Sequence, residues 1–151
     1  MEKLVRTDNS NPDFISLVKL LDADLAERDG EEHGFYAQFN GITQLKHAIV
    51  LYQDQAPVAC GAFKPLTETT VEVKRMFVQP NQRGKGMASK VLSALETWAK
   101  EIGYTSCVLE TGLRQPEAIA LYKKNGYRII PNYPPYEGIA NSVCFKKSLT
   151  T

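Results

Sequence analysis

The chain has 151 residues, 43% of them hydrophobic, and eighteen Lys and Arg stand against seventeen Asp and Glu for a net charge of +1. A chain of this length buries about 70% of its unfolded surface, which suits a single domain over residues 1–151 and leaves no room for a second. The balanced charge supplies no general field for nucleic acid or an anionic membrane, so any anion site must be local.

KLVRT opens the chain as a short strand, and Asn11 before Pro12 predicts a helix cap with proline in the first helical position. Phe14, Leu17, Val18, Leu21 and Leu25 recur at helical spacing, which predicts an amphipathic helix over about residues 12–28. RDGEEHGFYAQFNGITQ has three glycines and little periodicity and reads as loop with at most one short helix. HAIVLYQ and APVACGAFK flank Asp54-Gln55 as a β-hairpin, and TTVEVKRMFV follows as a neighbouring strand. Met87, Val91, Leu95, Trp98 and Ile102 mark one face of a second long helix that Gly103 ends. TSCVLETG is a strand, Pro116 begins a shorter helix ending at Asn125-Gly126, and YRII and NSVCFKKSL are the last two strands. The predicted order is β-α-β-β-β-α-β-α-β-β.

Cys60, Cys107 and Cys144 each lie in an apolar run without metal-ligand or CxxC spacing, and read as buried free thiols of a reducing compartment. The first residues contain no apolar leader core, and no run approaches the ~20 apolar residues of a membrane span. A cytoplasmic monomer or homodimer with no membrane or nucleic-acid partner is the expectation. His33 and His47 lack ligand spacing, so no metal is expected; His47, inside a strand, is read as structural.

Chemistry concentrates where the TTVEVKRMFV strand meets the second helix. Gly84 and Gly86 let backbone approach a ligand, and a helix starting there directs unsatisfied N–H groups and its positive dipole end at the same point. Arg83 and Lys85 add cations, which suits a pyrophosphate. A nucleoside-triphosphatase loop is excluded because Gly86 follows Lys85 where a magnesium-binding hydroxyl should stand. A dinucleotide fingerprint is disfavoured by Glu72, Lys74 and Arg75, which a central parallel strand buried on both faces would not carry.

RGKGMA, Arg83 to Ala88, resembles the R/Q-x-x-G-x-G/A loop of the GNAT acyltransferases, the Gcn5-related N-acetyltransferases. VEVKRMFVQPNQRGKG is similar to that family's fourth strand and phosphate loop, and EAIALYKKNGY to its later A-x-x-L-Y-x-x-x-G-F/Y signature. The resemblance implies an α/β fold with a mixed, mostly antiparallel sheet and helices on both faces. It also implies an N-acetyltransferase that moves an acetyl group from acetyl-CoA to a primary amine by direct transfer in a ternary complex. Met76, Phe77 and Val78 would pair through their backbone with the pantetheine arm, and Arg83, Gly84, Lys85, Gly86, Met87, Ala88 and Ser89 would hold the pyrophosphate. Gln115 stands where many members have the Asn that contacts the CoA arm, and the resemblance implies that it lies at that arm.

An amine must lose a proton before it attacks, and Glu72 resembles the family's strand glutamate that takes it. Alternation places Glu72, Met76 and Val78 on one strand face unless a bulge intervenes. Glu110 is the reserve base, and a cross-strand salt bridge is the competing reading of Glu72. Tyr122 matches the tyrosine that protonates the departing thiolate; its competing reading is a packed core residue. Glu31, Glu32, His33, Tyr36, Tyr133, Tyr136 and Asn141 fall where the family builds its acceptor pocket and would suit a small, polar, cationic amine. The alternatives are a peptide or protein N-terminal acetyltransferase, or a CoA-binding module without catalysis.

Overall fold

The computed structural model describes residues 1–29 and 41–150. Strand β1 (Glu2–Thr7) leads into helix α1 (Pro12–Asp29), whose start is fixed by Asn11: its side-chain oxygen accepts from the Asp13 and Phe14 amides at 2.8 and 3.1 Å. β2 (His47–Gln53) and β3 (Ala56–Pro65) form the expected hairpin. Asp54 and Gln55 both adopt positive φ, 51° and 75°, as a two-residue turn must to match the twist of its strands. β4 (Thr70–Val78), α2 (Met87–Ile102), β5 (Ser106–Gly112), α3 (Pro116–Lys124), β6 (Arg128–Ile130) and β7 (Ser142–Ser148) complete the order that the periodicities predict.

Among the described residues seven strands lie in one sheet in the order β1-β2-β3-β4-β5-β7-β6, with β4 and β5 parallel and the other pairs antiparallel. Both faces are covered. On one, α1 buries Phe14, Leu17, Val18 and Leu21 against Ala48, Val50, Cys60, Ala62 and Phe77. On the other, Val91, Leu92 and Leu95 of α2 and Tyr122 of α3 pack on Ile49, Leu51, Val71, Val73 and Phe145. Ile102, expected on the apolar face of α2, is 48% exposed, because it falls in the last turn, where the helix has run past the sheet beneath it.

His47 is structural: its ring stacks on Phe63 at 4.8 Å and meets Trp98 edge-on at 4.9 Å, and burial lowers its pKa. The three cysteines are buried and unbridged. Burial pushes Cys60 and Cys107 up to about 12 and Cys144 up to about 11, so none is a thiolate at neutral pH. No described helix is long and apolar enough to cross a membrane.

One irregularity organises the rest of the molecule. Cys60 pairs with Phe77 but Ala62 pairs with Lys74, so Gly61 alone stands opposite two β4 residues, Arg75 and Met76. This is a β-bulge, and Arg75 takes φ 60° to make it. The Arg75 guanidinium reaches back to α1, donating to the Val18 carbonyl at 3.3 Å and to the Asp22 carboxylate. Gly61 is the space Met76 needs: a Cβ there would lie 2.5 Å from Met76 Sδ and 2.9 Å from Leu95 Cδ1. Gly61→Ala is therefore expected to destabilise the fold by about 1–3 kcal/mol, as overpacking does, read as a lowered denaturant midpoint at unchanged slope.

Candidate active site

β4 and β5 pair only from Thr70 to Glu72, against Ser106 to Val108. Beyond that point β4 stays with β3 and β5 stays with β7, so the two parallel strands part and leave a cleft in the middle of the sheet. The bulge supplies the physical cause, since an inserted residue bends its strand and increases the local twist. A cavity of about 490 Å³ fills the gap, lined by β4 from Glu72 to Val78, by Gly84 and Gly86 to Ser89, by Glu110 to Gly112 and by Gln115 and Tyr122 of the α3 side.

At the cleft's outer end a one-turn 3₁₀ helix (Pro80–Gln82) carries the chain to the start of α2. Gly84 and Gly86 have φ 80° and 79°, the left-handed conformation that disfavours a side chain, and a Cβ at either would meet nothing within 4 Å. Gly86 is the N-cap of α2 and offers no side-chain cap, so the first amides of a 16-residue helix are left for a ligand. Arg83 is directed inward: its Nε donates to the Val78 carbonyl at 2.9 Å and its guanidinium lies 5.6 Å over the Phe77 ring and 3.8 Å from Asp24. Lys85 is exposed and donates to Gln82 at 3.3 Å. Ser89 accepts from Asn125 at 3.1 Å, tying α2 to the end of α3.

The inner end holds the candidate acid and base. Alternation through β4 fails at the bulge, so Glu72 does not share a face with Met76 and Val78. Val71, Val73, Met76 and Val78 face α2, whereas Arg75 and Phe77 both turn to the α1 side, where Glu72 and Lys74 also line a second cavity. Glu72 is 4% exposed; its Oε2 accepts from the Tyr133 hydroxyl at 2.8 Å, and Oε1 lies 3.7 Å from Lys74 and 3.9 Å from Lys64. Burial first, and Glu72 second, raise the Tyr133 pKa, which keeps that hydroxyl a donor. Tyr136 is buried, meets Tyr133 edge-on at 5.7 Å and accepts from Lys74 at 3.3 Å. Glu110 accepts from Ser142 at 2.7 Å.

Tyr122 is both packed and open to the cleft. Its ring lies 5.8 Å from those of Tyr127 and Phe145, while the residue also lines the cavity. Burial raises its pKa, with Glu110 adding to the effect, so the phenol is protonated throughout the neutral range. Gln115 holds the N-cap position of α3 without a side-chain cap and lines the cleft, and the Asn141 amide sits 3.2 Å from where a Gly112 Cβ would be. Glu31, Glu32, His33 and Tyr36 lie outside the described residues. Lys64 and Lys74 are no part of the site that the sequence predicts, because a lysine on a strand gives no local signal of its burial. Proximity alone is legible in VEVK, since period two puts Lys74 beside Glu72.

A sheet split between parallel strands, with a glycine-rich helix start at its mouth, defines an acyltransferase-type α/β fold. The chain belongs to the acetyltransferase (GNAT) family, whose model matches residues 14–127. A crystal structure from Klebsiella pneumoniae, of a protein assigned as an acyl-CoA N-acyltransferase, is 30% identical with a TM-score of 0.83 and covers 99% of both chains. An IAA acetyltransferase of Azospirillum brasilense is 40% identical over 93 residues, 61% of each chain, and an Escherichia coli N-acetyltransferase is 38% identical over 54% of this chain and 50% of its own. The chain thus spans about half to three fifths of these curated relatives. A Thermoplasma acidophilum N-acetyltransferase solved with coenzyme A is 13% identical and covers 98% of this chain and 99% of its own; its TM-score of 0.74 speaks for the fold alone.

Proposed function

We propose that the protein is an acetyl-CoA-dependent N-acetyltransferase that transfers acetyl directly to a primary amine of a small molecule within a ternary complex. The observation that carries this reading is the open edge of β4 past Glu72, which runs from the Gly84–Gly86 cradle to a buried carboxylate and a protonated tyrosine in one continuous cleft. An extended pantetheine arm fits such an edge as an added strand would, through the backbone of Met76, Phe77 and Val78. A pyrophosphate fits the uncapped α2 N-terminus, with Lys85 beside it, Met87, Ala88 and Ser89 in the first turn, and Gln115 across the cleft.

Acetyl-CoA brings an activated thioester; the chain's own groups handle protons and charge. Glu72, directly or through water, takes a proton from the acceptor's ammonium, freeing the nitrogen to form the new C–N bond. A backbone N–H at the bulge supports the carbonyl oxygen as charge develops, a contact of the kind worth about 2.7–4 kcal/mol. As the C–S bond breaks, the Tyr122 hydroxyl gives its proton to the sulfur. Azospirillum and Escherichia relatives named as acetyltransferases support this chemistry, and buried free thiols support a cytoplasmic location.

A panel of small amines assayed by thiol release tests the reading. At least one amine is expected to accept acetyl, and Glu72→Gln, which keeps an acceptor for Tyr133, is expected to lower that rate about 10²-fold. A larger loss in Glu110→Gln would move the base to Glu110. Absence of thiol release with every amine, despite acetyl-CoA binding, would overturn the catalytic reading.

A further inference from the structure

On the far side of Glu72 from the main part of the cleft lies a second cavity of about 230 Å³, lined by Gly41, Thr43, Gln44, Lys64, Glu72, Lys74, Pro135 and Tyr136. Glu72, Lys74 and Tyr136 line both cavities, so the wall between them is the candidate base and its neighbours. The charge on this wall is unbalanced: among the described lining residues, two ammonium groups face one carboxylate. Neither lysine is in hydrogen-bond contact with that carboxylate, the distances being 3.7 and 3.9 Å. Glu72 Oε2 is already used by Tyr133, and the hydrogen bond that Lys74 makes is to the uncharged Tyr136 hydroxyl.

A lysine side chain only 7% exposed is costly unless an anion meets it, and here the nearest anion is shared with a second lysine. Each ammonium has three donors, and the described contacts leave most of them unused toward the cavity. Burial is the largest influence on Lys74 and lowers its pKa; Glu72 and, further down, Glu110 oppose the shift, while Lys64 and Arg75 add to it. The volume suits a small polar molecule.

We propose that the second cavity binds the acceptor by an acidic group, and that the acceptor is an amino-acid-like amine whose carboxylate sits between Lys64 and Lys74 while its amine faces Glu72. The proposal rests on the acetyltransferase reading and deepens it by naming the acceptor's chemistry. It also changes the acceptor's charge: the residues singled out in the sequence suit a cationic amine, whereas this wall suits a zwitterion. Lys64 and Lys74 become residues that set specificity, and the carboxylate orients the amine toward the cleft.

Matched pairs decide it: free α-amino acids against their amides, assayed for acetyl transfer with the wild type, Lys64→Gln and Lys74→Gln. The acid is expected to be preferred through a lower KM, and Lys64→Gln, at the more exposed of the two positions, should reduce that preference about tenfold. Equal transfer to acids and amides, or an equal loss for both in Lys64→Gln, would overturn the proposal and leave the acetyltransferase reading intact. Should wild type acetylate no amine at all, calorimetry of amino acid binding to the CoA-loaded protein replaces turnover. Binding that Lys64→Gln weakens would support the site, and no binding would overturn it. Circular dichroism of Lys74→Gln separates a lost fold from a lost site.

Discussion

Gly86→Asp is expected to abolish the thermal protection that acetyl-CoA gives the wild-type protein. A ligand bound only to the native state stabilises it by about 2.7 kcal/mol at a hundredfold excess over Kd, a shift of several degrees for a chain of this size. Gly86 sits at φ 79° as the N-cap of α2, and the space its Cβ would enter contains no protein atom within 4 Å. An aspartate there meets little of the fold itself. It instead places a negative side chain at the one point where the helix dipole and uncapped amides would attract a pyrophosphate. Left-handed backbone costs a side chain about 1–2 kcal/mol, so some intrinsic loss of stability is expected as well. Gly86→Ala carries the same strain without the charge and serves as the control. Differential scanning with and without millimolar acetyl-CoA reads both effects. Retained protection in Gly86→Asp would place the pyrophosphate elsewhere.

Tyr122→Phe is expected to leave acetyl-CoA affinity within a few fold and to lower the single-turnover rate by about 10²–10³. The structure makes this variant more diagnostic than the sequence alone would. The ring's contacts with Tyr127 and Phe145 survive in phenylalanine, so packing is preserved while the hydroxyl at the cleft is removed. The raised pKa of Tyr122 means that its proton is present at the start of the reaction at any neutral pH, and a donor must be in that state. Calorimetry with CoA and rapid-quench transfer to the best amine of the panel give the two quantities separately. Equal rates in variant and wild type would leave Tyr122 as a core residue and assign protonation of the sulfur to water.

RGKGMA carried the turn: a glycine pair followed by a helical period implies positive φ and uncapped amides whatever surrounds it, and Gly84 and Gly86 take φ 80° and 79°. The order of elements was equally local. Period two, period 3.6, the Asn11-Pro12 cap and the Asp54-Gln55 turn each act over a few residues, so each could be read before any contact was known.

What the sequence misread lay where one distant partner decides. Alternation along β4 put Glu72 with Met76 and Val78, but the bulge at Arg75 reversed the phase, held by a guanidinium that crosses to Val18 and Asp22 on α1 and by a glycine, Gly61, on the neighbouring strand. Nothing within β4 announces that insertion, because its stability depends on groups 14 to 57 positions away in the chain. The surroundings of Glu72 are decided in the same way: Lys64 comes from the neighbouring strand, and the hydroxyl that Lys74 meets is that of Tyr136, 62 positions on. By itself the sequence determined the elements, their order, the glycine turn at the start of α2 and the family. Only the tertiary structure decided which face of the sheet the candidate base occupies and which charges surround it, since both follow from contacts that local periodicity does not encode.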